Sequence, residues 1–172
     1  MDFEDSILIP KARIAVLIGK KGTTKRKIEK TAGVKLLVDS SEGVVSIYGR
    51  DALSVALAKD VVQAIARGFN PELAMELFKE GFVLDVISIS DYVRGKSGFQ
   101  RIRGVLIGTK GKARRVLEQH TGTNISIYGK TVAIIGKAED VIVAHKAIEM
   151  FLMGASHASV YKFLERSHGR RT

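Results

Sequence analysis

With 172 residues, 45% hydrophobic and 27% charged, the chain suits one medium domain or two small ones and is too apolar to remain unfolded. It has no cysteine, which excludes disulfides, thiolate metal sites and a cysteine nucleophile, and no apolar run reaches the roughly 18 residues of a membrane span. The net charge of +10 favours a polyanionic partner.

Residues 3–9 are apolar-rich and partly alternating, the pattern of a strand. A short helix over 11–18 runs into Gly19-Lys20-Lys21-Gly22, which breaks it. A charged amphipathic helix over 23–32 follows, with Gly33 where a left-handed C-cap belongs. Strands over 34–38 and 44–48 flank the turn Asp39-Ser40-Ser41-Glu42-Gly43. Asp51 caps a long helix over 51–67, with Leu53, Val55, Leu57, Val61, Val62 and Ile65 expected on its buried side. Asn70-Pro71-Glu72 then opens a further short helix over 70–79 with a cap, a first-turn proline and a favourable acid.

The same order returns. A strand over 82–90 and a helix over about 97–107 lead to a second break, Gly108-Thr109-Lys110-Gly111. A helix over 112–121 stops at Gly122, and strands over 124–128 and 131–135 flank the two-residue turn Gly129-Lys130. A long helix over 139–153 ends at Gly154, and a closing helix over 158–165 carries Val160, Tyr161, Phe163 and Leu164. Residues 167–172 read as a short disordered tail.

The residues themselves repeat. Val16-Leu17-Ile18-Gly19-Lys20-Lys21-Gly22 matches Val105-Leu106-Ile107-Gly108-Thr109-Lys110-Gly111, and Ile28, Glu29 and Gly33 match Leu117, Glu118 and Gly122 at the same spacing of 89. Val45 to Gly49 matches Val132 to Gly136 at a spacing of 87, as a shorter second hairpin requires. The repeat divides the chain into residues 1–80 and 81–172.

The charge is unevenly divided. Residues 1–80 carry 13 basic and 11 acidic residues, and residues 81–172 carry 15 and 7. Residues 11–30 hold eight Lys and Arg against Glu29 alone, and residues 94–115 hold eight against none. A solvated helix face mixes signs, so this clustering marks a surface for phosphates. Paired glycines remove Cβ atoms where a sugar–phosphate backbone would approach, and the following helix aims the positive end of its dipole there. Lys20, Lys21 and Lys110 supply charge beside the glycines; Lys25, Arg26, Lys27, Lys112, Arg114 and Arg115 would neutralise flanking phosphates. The absence of Trp and an aromatic content of 6% disfavour a sheet that stacks bases on aromatic rings.

Strand, helix, Gly-x-x-Gly, helix, strand, strand, helix, twice over, resembles the type I KH domain. The resemblance implies an α+β fold of two tandem type I KH domains, each a three-stranded antiparallel sheet with helices packed on one face, plus an extra helix after each. It also implies an aliphatic groove for bases, here Ile14, Leu17, Ile18, Leu36 and Val38, with Leu106, Ile107, Ile125 and Ile127 in the second copy. Of these, Leu17, Leu36, Leu106 and Ile125 are expected to serve the core.

The second copy narrows the resemblance. Arg103-Gly104-Val105-Leu106-Ile107-Gly108-Thr109-Lys110-Gly111-Lys112, then Val116-Leu117-Glu118, Thr121-Gly122-Thr123-Asn124-Ile125 and Val132-Ala133-Ile134-Ile135-Gly136, is similar to the KH proteins of ribosome assembly, archaeal relatives of the partner-of-Nob factor. This implies a single-stranded RNA-binding protein acting near the 3′ end of small-subunit rRNA in rRNA processing, beside a PIN-domain endonuclease and a dimethyladenosine transferase. The RNA-binding residues expected are Gly19, Lys20, Lys21, Gly22, Lys25, Arg26, Ile14, Ile18 and Val38, with Arg103, Ile107, Gly108, Thr109, Lys110, Gly111, Lys112, Arg114, Arg115 and Ile127 in the second copy. The second copy is expected to be the stronger binder. A cytoplasmic protein without cofactor, metal or membrane partner is expected.

Catalysis is not expected: His120, His145, His157 and His168 are scattered without metal-ligand spacing. Alternative readings are a KH subunit of another RNA machine such as the exosome, or a protein-interaction scaffold. An exosome cap subunit would need an added barrel, and the intact glycines with basic flanks speak against a scaffold that has lost RNA.

Overall fold

Alternation sets the sheets. In β3 (Val44–Gly49), Val45 and Ile47 are fully buried and their neighbours only partly so. β3 is central between β1 (Phe3–Leu8) and β2 (Val34–Asp39), both antiparallel to it. The second sheet repeats this order, with β6 (Thr131–Lys137) between β4 (Phe82–Ser88) and β5 (Asn124–Tyr128). The computed structural model describes residues 2–171, with side chains through residue 168, and the chain divides into two compact units between Glu80 and Gly81.

In the first unit, α1 (Lys11–Ile18) and α2 (Thr23–Ala32) bracket the first loop, and α2 stops at Gly33, at φ 70°. α3 (Ala52–Ala66) starts from Asp51, whose side chain accepts from Ser54 N at 2.8 Å; that bond holds the Asp51 carboxyl below its usual range. Its buried stripe is Val55, Ala58, Val61, Val62 and Ile65. Leu53, expected in that stripe, is 68% exposed. It lies two residues before Val55, and residues two apart on a helix do not share a face.

Asn70 caps α4 (Pro71–Ala74) through Leu73 N at 2.9 Å, and a single 3₁₀ turn over Met75–Phe78 completes the segment. Ala74 and Leu77 are buried, and the segment packs on α3.

In the second unit, α5 (Gly95–Ile107), α6 (Lys112–Thr121), α7 (Ala138–Leu152) and α8 (His157–Arg171) surround a core of Ile102, Leu106, Leu117, Ile134, Ile148 and Phe151. α8 buries Val160 and Leu164 in that core and packs on α6 and α7. The disordered tail expected over 167–172 is therefore helix as far as Arg171, and Thr172 lies outside the described residues. A helix anchored by core residues propagates cheaply, because each further residue adds one hydrogen bond. Among the described residues, no helix is long and apolar enough to cross a membrane, and no group of three or more His, Asp or Glu is placed to hold a metal.

The duplication extends to surface pairs. Lys59 Nζ lies 2.9 Å from Asp5, holding that carboxyl below its usual range, and His145 Nδ1 meets Asp85 at the matching place in the second unit.

Candidate nucleic-acid interface

Both Gly-x-x-Gly segments adopt one backbone path. Gly19 and Gly108 lie at φ 75°, ψ 174° and φ 76°, ψ 174°, a region only glycine occupies readily. Lys21 and Lys110 are left-handed at φ 55° and 54°, and Gly22 and Gly111 follow at φ 75° and 76°. Gly22 N donates to Gly19 O, and Gly111 N donates to Gly108 O, each at 3.1 Å, closing each loop into a turn. A Cβ on Gly108 would stand 2.6 Å from Ala113 N, and one on Gly19 would stand 2.9 Å from Thr24 N. The first glycine of each loop thus lets the next helix start directly behind it. At Gly22 and Gly111 a Cβ would meet only the tips of Arg26 and Arg115, so there the left-handed backbone is what demands glycine.

A glutamate two helical turns after each loop fixes the strand beside it. Glu29 Oε2 accepts from Leu36 N, and Glu118 Oε2 accepts from Ile125 N, both at 2.9 Å. Leu36 and Ile125 are buried, so neither amide has water as a substitute partner. Glu118→Ala strands the Ile125 amide at about 1–3 kcal/mol. Its expected effect is a fall of several degrees in the second unit's unfolding temperature, measured by circular dichroism, with Glu118→Gln recovering part of it.

Comparison with known proteins decides what these loops belong to. Residues 83–169 match a model described as a eukaryotic-type, type I KH domain, and residues 4–64 match the general KH-domain model. The KH domain-containing protein MJ0443 of Methanocaldococcus jannaschii is 53% identical over 162 residues, 92% of this chain and 71% of that protein. The chain belongs to the KH-domain family.

Further relatives are more specific. The pre-rRNA-processing protein PNO1 of Chaetomium thermophilum is 28% identical over 114 residues, 64% of this chain and 44% of that protein. The crystal structure of Dim2p from Pyrococcus horikoshii is similar at a TM-score of 0.90 and 46% identity, covering 96% of this chain and 99% of that one. A chain in the a/eIF2α–aDim2p–rRNA complex from the same organism is similar at a TM-score of 0.92 and 45% identity, covering 98% and 95%.

Around each KH loop the expected residues fall into three groups. Lys20, Lys21, Thr109, Lys110 and Lys112 are exposed at the loop. Arg26 and Arg103 are exposed, and Lys25 and Arg114 lie 3.9 and 3.8 Å from Glu29 and Glu118, each tethered to the glutamate that holds the strand. Arg115 Nη1 donates to Lys110 O at 2.6 Å and so buttresses the loop from behind.

The aliphatic set divides as well. Leu17, Leu36, Leu106 and Ile125 are core, as expected. Ile14, expected to face a base, is only 7% exposed and joins the core, on a helix that packs against α2 and α3. Ile18, Val38 and Ile127 are half-buried and Ile107 is 36% exposed, which leaves these four as the open apolar surface beside the loops.

The basic count over 11–30 includes one cation with a structural task. Arg13 donates to Ile65 O at 2.8 Å and to Phe69 O at 2.7 Å, capping the end of α3. Conversely, Lys96, Phe99 and Lys130 join Arg103 in one open cleft, with Lys130 Nζ 5.2 Å from the centre of the Phe99 ring. Sequence reasoning missed this group. Its signal was the aromatic Phe99 within a basic stretch, opposite a lysine in the hairpin turn.

Proposed function

We propose that the chain binds single-stranded RNA, specifically small-subunit rRNA near its 3′ end, as a ribosome-assembly and rRNA-processing factor. What carries this reading is the pair of glycine loops, each beside exposed cations and half-open aliphatic side chains. The family and the relatives support it: one has a structure with rRNA, and another is a pre-rRNA-processing protein. They favour it over an exosome subunit or a scaffold. A KH loop clamps about four nucleotides of backbone. Lysines supply the charge, and Ile18, Val38, Ile107 and Ile127 receive base faces. The second unit, with more net positive charge, is the stronger binder.

In this reading the protein positions RNA in the cytoplasm without changing it covalently. A PIN-domain endonuclease and a dimethyladenosine transferase are its proposed partners during maturation.

Fluorescence-anisotropy titration with unpaired oligoribonucleotides, including the 3′ tail of small-subunit rRNA, tests the reading. Saturable binding is expected. Neutralising about four phosphates of a single strand gives a log–log salt slope near −3, so affinity should drop on the order of 50-fold between 50 and 200 mM salt. Absence of saturation would sink the RNA reading, and a flat salt response would remove the basic clusters from the interface.

A further inference from the structure

A second concavity of the second unit lies on the far side of its loop, between α5, α6 and α8. This open cleft of about 470 Å³ is walled by Gly108 and Thr109 of the loop, by Arg101 and Lys112, and by His157 and Tyr161 of α8. Its volume lies in the range of pockets that take small ligands, about 300–1,000 Å³. Among the described residues, no acidic side chain lines it.

Its aromatic wall is held in place. His157 Nε2 lies 3.2 Å from Val105 O, where a ring N–H would satisfy a carbonyl in the last turn of α5. The His157 ring packs 5.1 Å from that of buried Phe151, and Tyr161 stands edge-on to His157 at 6.0 Å. The floor is bare, since a Cβ on Gly104 would meet nothing within 4 Å.

The repeat supplies an internal control. The first unit has a concavity in a partly matching place, lined by Thr24, Pro71 and Met75 where this one has Ala113, His157 and Tyr161. There the wall is Pro71, Glu72 and Met75, with Lys27 as its cation. Among the described residues, the second cleft alone joins flat rings to cations without a carboxylate, the combination that stacks a base and pairs with its phosphate.

We propose that this cleft takes one unpaired nucleotide next to those held by the 108–111 loop, its base stacked on Tyr161 and His157 and its phosphate paired with Arg101 and Lys112. The proposal rests on the RNA reading above and extends it to a second subsite. A strand long enough to pass over Thr109 would then engage both sides of the loop.

The test uses the full chain with an octamer from the 3′ end of small-subunit rRNA and with the tetramers that compose it. Tyr161→Ala should weaken octamer binding about 10-fold, within the range for one stacked base. It should leave tetramer binding unchanged, and Tyr161→Phe should restore the octamer. Arg101→Glu, at an exposed position that does not put folding at risk, should give the same octamer-selective loss. Unchanged octamer affinity in Arg101→Glu and in folded Tyr161→Ala overturns the subsite. Equal losses on tetramers and octamer also overturn it, by assigning these residues to the loop's own grip. Failure of both RNAs to bind the unchanged chain would defeat the RNA reading first and the cleft with it.

Discussion

Replacing Thr109 and Lys110 together with aspartate is expected to weaken binding of unpaired RNA about 100-fold or more. The double change shifts the charge of the 108–111 loop by three units at the point where a phosphate would rest. Each unit at ~4 Å is worth about 1 kcal/mol in water and about 4 at an effective dielectric near 20. Even the lower figure gives a loss of about 3 kcal/mol, or roughly 100-fold in affinity. The fold should survive. Both side chains are exposed, and Lys110 lies at φ 54°, ψ 31°, a left-handed conformation that aspartate tolerates better than most residues. Anisotropy titration reads the affinity and far-ultraviolet circular dichroism checks the fold. The matching change at Lys20 and Lys21 should cost less if the second unit dominates. Tight binding by the Thr109/Lys110 variant would exclude the second loop as the main grip.

Gly108→Ala is expected to act on stability instead. Its backbone region is open to glycine alone, so an alanine there costs about 1–3 kcal/mol. The added Cβ would also press on main-chain atoms of Ala113 at 2.6 Å, an overpacking worth about 1–3 kcal/mol more. A combined loss of about 3 kcal/mol lowers the unfolding midpoint of a domain this size by on the order of 15 °C. Thermal denaturation followed by circular dichroism would show this. Gly111→Ala should cost less, keeping only the left-handed backbone penalty of about 1–2 kcal/mol, because its Cβ meets no main-chain atom and only the far end of Arg115. Equal midpoints for the two variants would mean that crowding behind the first glycine is not what fixes it.

Most of the architecture was legible because each element has a local signature. Alternation marks β3, Gly33 and Gly122 end α2 and α6, and Asp51 and Asn70 begin α3 and α4. The two loops were legible as glycine spacing, and their second appearance turned a weak motif into a strong one. What stayed hidden depends on which way a side chain faces after distant segments meet. Arg13 belongs to a basic run but spends its guanidinium on carbonyls over 50 residues away. Leu53 looks like core by composition and is exposed by phase. Ile14 sits one turn before Ile18 yet turns inward. Phe99 and Lys130 are separated by 30 residues and become neighbours only when α5 lies against the hairpin. The paired glutamates could be found as matching letters, but not as acceptors for a strand amide.

Left-handed lysines and a main-chain hydrogen bond from the last glycine to the first close both loops. Each arch is closed by its own main chain, so in the proposed reading a strand would meet a preformed handhold and surrender little conformational freedom on capture. In the same reading, choice among transcripts would arise from what the neighbouring apolar shelf accommodates, since such a handhold greets every phosphodiester alike.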